Sequence, residues 1–446
     1  MTTTAAFGLP RDLGSGLIMR WATPADTEEL AGFNLAMHSD NPEEPEEFLV
    51  HWTRDLMRGD HPTTKADDFT VVVDTNKGGK IVSSSNLISQ TWVYEDIPFP
   101  VGRPELVATH PDYRQRGLVR EQMAAIHAKS ASRGEMVTAI AGIPWYYRQF
   151  GYEMGLNLGG SRQLFWARPG NDKKAASEPY RLRQATIEDI PLILELYRRH
   201  LGQSLIWRWR DEDLLRYEMT GSHPDSIWTV KPQIVETTGG EAVAYVNVSP
   251  WGTGFHLSEL GVSRGHSWRA IGLFLVRHLK QEADKLNETR EKKITNISFS
   301  LGESHPIYEA LGDDLEKQIR PYAWYVRVPD IPAFLRMIAP ALERRLAGSV
   351  LAGHSGTTRI NLYRQRFTLV WDHGHLVEVG DNYEYDRLEE GDAVFPDLTF
   401  LQLLFGFRSW DELYQSFTDC YTRENETTVL MCILFPKRPS LVMPLG

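Results

Sequence analysis

Arg114-Gln115-Arg116-Gly117-Leu118-Val119-Arg120 lies between the strand-like Leu106-Val107-Ala108-Thr109-His110-Pro111 and a segment of helical periodicity, and its reading decides the fold. A helix start leaves its first backbone N–H groups unpaired and carries partial positive charge, so main chain can hold a diphosphate there. Gly117 lets that backbone approach closely. Val119, Met123 and Ile126 follow at i, i+4 and i+7, one face of a helix packed on a sheet. Arg114, Arg116 and Arg120 add attraction for a polyanion. A basic helix start with a solvated face has the same local composition, so the context discriminates.

That context is ordered. Downstream stands Tyr147-Arg148-Gln149-Phe150-Gly151-Tyr152. Strand, Arg/Gln-x-x-Gly turn, helix, second strand and Tyr-x-x-aromatic-Gly-aromatic together resemble the GCN5-related N-acetyltransferases (GNAT). Val119 stands where the general family has Gly or Ala. The form here, basic-x-basic-Gly-Leu-x-Arg followed by Tyr-x-x-Phe-Gly-Tyr, is similar to the enhanced-intracellular-survival (Eis-like) branch.

The resemblance implies acetyl-CoA as cosubstrate, with no metal. It implies cofactor contacts from Arg114, Gln115, Arg116, Gly117, Leu118, Val119 and Arg120. The strand Val107, Ala108 and Thr109 is expected beside the acetyl group, with backbone N–H groups of Val107 and Thr109 facing its carbonyl. Tyr147 matches the family tyrosine that protonates the departing thiolate; a phenol with pKa near 10 holds its proton at neutral pH. For the base, the resemblance implies the C-terminal carboxylate of Gly446, and Glu105 at the head of the cofactor strand competes with it. A homo-oligomer is implied as well.

Composition sets the frame. A chain of 446 residues suggests about three domains. Hydrophobic content of 42% and charged content of 24% are those of a globular protein. No apolar run reaches the roughly 20 residues needed to span a bilayer, and Met1-Thr2-Thr3-Thr4-Ala5-Ala6-Phe7 lacks the basic and apolar regions of a secretory signal. A cytoplasmic location without membrane insertion is therefore expected. Net charge of −11 argues against nucleic acid and favours cationic partners. Cys420 and Cys432 have no metal-ligand spacing and read as core thiols.

One phrase occurs twice. Arg20-x-Ala22-Thr23-x-x-Asp26 matches Arg183-x-Ala185-Thr186-x-x-Asp189 at an offset of 163 (183 − 20), and Tyr147-x-x-Phe150-Gly151 matches Tyr308-x-x-Leu311-Gly312 at 161 (308 − 147). Two pairs in the same order indicate a tandem duplication. The second copy has Arg269-x-x-Gly272 in place of the basic cradle and reads as a degenerate, structural copy, with a weaker second cofactor site as the alternative. The polar stretch 168–177 reads as a linker.

From 327 onward a helix, strand candidates at 358–363, 366–371 and 374–379, and helical stretches at 400–407 and 410–417 resemble the sterol-carrier-protein-like domain of Eis-like acetyltransferases. The expected architecture is α/β (α+β): a catalytic GNAT domain at 1–168, a degenerate one at 178–326, both with mixed central sheets, and the carrier-like domain at 327–446. Acetyl transfer to a primary amine in a ternary complex is the expected function, the acceptor being a small molecule or peptide. A silent acetyl-CoA sensor and an apolar-ligand carrier acting through the C-terminal domain are the alternatives.

Overall fold

The computed structural model describes residues 8–166 and 178–443; the expected linker at 168–177 and Gly446 lie outside the described residues. The first copy opens with a hairpin of β1 (Arg11–Gly14) and β2 (Leu17–Trp21), then α1 (Thr27–His38) and α2 (Phe48–Met57). β3 (Phe69–Asp74) and β4 (Lys80–Tyr94) join through Gly78 and Gly79, both at positive φ. There the missing Cβ removes the steric cost. β5 (Ile97–Thr109), α3 (Leu118–Ser132), β6 (Val137–Ile140), β7 (Glu153–Leu158) and β8 (Arg162–Phe165) follow.

The second copy repeats the pattern. β9 (Tyr180–Gln184), α4 (Ile190–Leu201), β10 (Ile206–Arg208) and α5 (Glu212–Arg216) lead into β11 (Gln233–Thr237), β12 (Ala242–Trp251) and β13 (Gly254–Val262). α6 (Trp268–Leu286), β14 (Asn296–Phe299), α7 (Pro306–Leu311) and β15 (Tyr322–Arg327) complete it. The repeated phrase folds alike in both. Arg20 grips Asp26 through two guanidinium nitrogens at 2.8 and 2.6 Å, and Arg183 grips Asp189 at 2.7 and 2.7 Å. In each case the aspartate also accepts the backbone N–H of the capping threonine, Thr23 or Thr186.

The sheets cross the sequence bounds of the copies. The first runs β1-β2-β3-β4-β5-β6-β15-β7, so a strand from the end of the second copy sits between β6 and β7. The second runs β8-β14-β13-β12-β11-β9, closed by a strand from the first copy. Each copy thus donates its last strand to the other. β10 also pairs with the far end of β4, beyond the reach of β3.

The remaining chain forms α8 (Ile331–Ala347), β16 (Gly356–Asn361), β17 (Arg366–Asp372), β18 (His375–Asp381), β19 (Ala393–Val394), α9 (Thr399–Leu404), α10 (Trp410–Ser416), β20 (Tyr421–Thr422) and α11 (Asn425–Leu434), with sheet order β18-β17-β16-β19-β20. Its core is continuous with one face of the first sheet: Trp92, Phe99 and Trp324 pack with Phe334, Phe400 and Phe435 in one buried cluster. Cys420 is buried, as expected of a core thiol, but Cys432 is exposed. It lies on a face of α11 that the core does not cover.

Candidate active site

β5 and β6 pair in parallel only at Val101–Val137 and Gly102–Thr138, then part. On its other edge β5 bulges. Ser84 faces Ala108 and Asn86 faces Glu105, so Leu106 and Val107 together oppose Ser85, and Leu106 adopts φ +50°. A wedge opens where the strands separate. It holds a cleft of about 850 Å³, and Glu105, Val107, Ala108 and Thr109 of β5 all line it.

At the mouth, Gly117 stands at the N-cap of α3 with φ +77° and offers no capping side chain. A Cβ there would meet nothing within 4 Å, so glycine is required by the backbone conformation and the space above it stays open. Gln115 is also at positive φ. Arg114, Gln115 and Arg116 are exposed around this turn. Arg114 donates to the Thr109 carbonyl at 3.3 Å, and Arg120 donates to Gln149 at 2.9 Å, tying the turn to the Tyr147 loop. Leu118 is buried and Val119 half-buried, with Met123 and Ile126 beneath. The second copy differs at this point. Ser267 caps α6 with its own side chain, accepting the Ala270 N–H at 3.2 Å, so the helix start is satisfied internally.

Tyr147 is 3% exposed and lines the cleft. Its hydroxyl has no hydrogen-bond partner among the described residues, whereas Tyr308, its counterpart, donates to the carbonyls of Phe299 (2.8 Å) and Gly302 (3.2 Å) and accepts the Leu301 N–H at 3.2 Å. One hydroxyl is free and the other is built into a core. Burial, and then the neighbouring Glu105 carboxylate, push the Tyr147 phenol well above its ordinary range. In the second copy, buried His305 bonds the Leu260 carbonyl at 3.2 Å.

The loop carrying Tyr147 is held from the exchanged strand. The Trp145 N–H donates to the Tyr325 hydroxyl, and the Tyr325 ring meets Tyr147 edge-on at 5.9 Å. Trp145 itself is at positive φ and 67% exposed, and Ile143 lines the cleft.

Glu105 is ion-paired with Arg103, which is fully buried beneath the Trp324 ring, 4.8 Å from its centroid. Burial raises the carboxyl of Glu105 and the guanidinium opposes that rise. The Trp324 indole N–H donates to the Val442 carbonyl at 3.1 Å, which brings the buried tail against the same strand. Gly446 lies outside the described residues.

Several lining residues carry no marker in the sequence. Met37 and His38 end α1, and Leu49 and Trp52 lie on α2; all four face the cleft. Trp324 and Tyr325 stand behind the cleft through strand exchange, the first against Arg103 and the second against Tyr147. Among the described residues one group could hold a cation, His51, His223 and Asp225, within 4.8 Å of one another and away from the cleft. His223 Nδ1 already accepts the Asp225 N–H there, and the two imidazoles stack in parallel at 3.7 Å.

A parting pair of parallel strands, a bulged β5 and an uncapped glycine helix start together frame the open cleft. Residues 22–155 match the family model "Acetyltransferase (GNAT) domain", so the chain carries a GNAT acetyltransferase domain in its first copy. No curated protein matches the chain in sequence. Among solved structures it is similar to a conserved protein of Enterococcus faecalis V583 described as a probable N-acyltransferase. That likeness has TM-score 0.68 and 12% identity, covering 96% of this chain and 100% of that one. It is also similar to Eis1 of Mycobacterium abscessus, with TM-score 0.59 and 14% identity over 95% and 98% of the two chains. A Saccharomyces cerevisiae N-myristoyltransferase with bound myristoyl-CoA matches at TM-score 0.51 and 11% identity over 73% and 81%.

Proposed function

We propose that the chain is an acetyl-CoA-dependent N-acetyltransferase that acetylates a primary amine by direct transfer, with the first copy as the single active one. The observation that carries this reading is the contrast between the Tyr147 hydroxyl, which lines the open cleft without a hydrogen-bond partner among the described residues, and the thrice-bonded Tyr308 hydroxyl. Acetyl-CoA would lay its diphosphate on residues 114–120 and its thioester in the wedge, with Val107 to Thr109 along the acetyl group. Backbone N–H groups of Val107 and Thr109 would receive the oxyanion. The amine nitrogen attacks the carbonyl carbon, the C–S bond breaks, and Tyr147 gives its proton to the thiolate. Glu105 supplies a carboxylate that draws a cationic amine into the cleft. A C-terminal carboxylate, Gly446, remains the other acidic group assigned to the acceptor side. We read 327–446 as a sterol-carrier-protein-like unit of an Eis-like, homo-oligomeric, cytoplasmic enzyme.

Incubation with acetyl-CoA and a panel of primary amines, while free thiol is followed, tests the activity directly. Thiol release that depends on an amine supports the reading, and none with any amine refutes it. Calorimetry should count one acetyl-CoA per chain, because Ser267 occupies the second helix start; two equivalent sites would remove the distinction between the copies. Gly117→Asp should weaken acetyl-CoA binding by roughly a hundredfold or more, since it sets a carboxylate beside the diphosphate at a cost of several kcal/mol and strains a positive φ. An unchanged dissociation constant in a folded variant would move the cofactor elsewhere.

A further inference from the structure

A cation drawn out of water normally stands beside an anion, because an unpaired charge loses its hydration without return. Arg327 departs from that rule. It ends β15, half-buried, and its guanidinium makes no hydrogen bond or ion pair with any of the described residues. Arg148, on the loop nearby, is matched in the usual way by Glu153 at 2.8 Å.

The strand sets the side on which Arg327 lies. Trp324 and Val326 pack in the core shared with the C-terminal unit, whereas Tyr325 joins Met123, Tyr147 and Tyr152 on the α3 side of the sheet. The period of two puts Arg327 on that side as well. Its Nε lies 3.6 Å from the place a Cβ on Gly151 would take. Two residues before Gly151, Gln149 accepts Arg120 at 2.9 Å; the residue after it, Tyr152, shares its hydroxyl with Nε2 of His127 at 2.7 Å. Arg120, Ala124 and His127 follow at i, i+4 and i+7 on one face of α3. Arg120 and Ala124 are exposed and His127 half-buried, so a track about 10 Å long, at 1.5 Å per residue, leaves the cofactor turn and ends at the loop beside Arg327.

Coenzyme A carries, a few bonds from its diphosphate, a phosphate monoester at the ribose 3′ position. Such a group bears roughly 1.5–2 negative charges at neutral pH, and a guanidinium can meet it with two parallel N–H groups. We propose that Arg327 holds the 3′-phosphate of coenzyme A at the end of this track, so that a residue of the second copy, delivered by the exchanged strand, completes the cofactor site of the first. This rests on the acetyl-CoA reading of residues 114–120 and adds to it the group that separates coenzyme A from its 3′-dephospho form. Burial lowers the Arg327 guanidinium from its ordinary range, yet arginine stays charged in proteins, and the phosphate supplies the counter-charge that the described residues do not.

Calorimetry with coenzyme A and with 3′-dephospho-coenzyme A, neither of which has an acetyl group to transfer, tests this. Wild type should bind coenzyme A roughly 10–100-fold more tightly, the usual worth of hydrogen bonds between charged groups. Arg327→Met keeps an apolar stem over the same sheet and should bring coenzyme A down to the affinity of the dephospho form, which itself should not change. Arg327→Lys should keep part of the difference. Equal wild-type affinities for the two ligands, or a difference that survives in Arg327→Met, overturn the role of Arg327 and leave the acetyltransferase reading standing. An equal loss for both ligands in a folded Arg327→Met makes Arg327 a support for the Gly151 loop and likewise overturns it. A wild-type chain that binds neither ligand overturns both readings.

Discussion

Tyr147→Phe should lower turnover by roughly 10²–10⁴-fold, the usual worth of general acid catalysis, while acetyl-CoA affinity stays at the wild-type value. The ring remains in its place among Tyr146, Tyr152 and Tyr325, so only the proton that can reach the thiolate is removed. Among the described residues no hydrogen bond is broken, because the hydroxyl makes none there. Tyr308→Phe is the internal control. It deletes a hydroxyl bonded to three backbone groups, which should cost about 1–3 kcal/mol of stability for the groups left unsatisfied and leave turnover almost unchanged. Equal activity of wild type and Tyr147→Phe across about pH 6 to 9, below the phenol's reference pKa, would make Tyr147 a packing residue.

Trp324→Ala should destabilise the chain by about 3–5 kcal/mol, the usual range for emptying a buried tryptophan site. The side chain is fully buried, stacks edge-on to Trp92 at 5.7 Å, covers Arg103 and holds the Val442 carbonyl. Its strand belongs by sequence to the second copy and by pairing to the first, so the loss should reach the active site as well. Turnover should fall further than acetyl-CoA affinity, because the Arg103–Glu105 pair rests on the lost indole. Urea unfolding followed by circular dichroism measures the first effect. A loss below about 1 kcal/mol, under the usual range for such a site, would mean that the exchanged strand does not support the first sheet.

The two matching clasps were legible because a local motif repeated. Arg20 with Asp26 and Arg183 with Asp189 are six residues apart, close enough for the chain itself to close each clasp. The cofactor turn was legible for the same reason, since a glycine before an amphipathic helix needs only neighbouring residues to define it. The parting of β5 from β6 is a matter of pairing, which stops at Gly102. The difference between Tyr147 and Tyr308 was partly legible in the degenerate cradle of the second copy, but not in the tyrosines themselves.

Sequence alone therefore determined the repeated Arg-Ala-Thr-Asp clasp, the glycine turn before α3 and the first helix and three following strands of the C-terminal unit, all properties of contiguous segments. Tertiary structure decided the rest. Tyr322–Arg327 reads as a strand wherever it is placed, and only the competition among open sheet edges sent it between β6 and β7. Likewise Met37 and His38 at the end of α1 carry no spacing that marks them as cleft residues, and they line it only because α1 packs against β5. Strand propensity and side-chain chemistry are local, whereas edge pairing and the facing of a cleft depend on residues tens to hundreds of positions away.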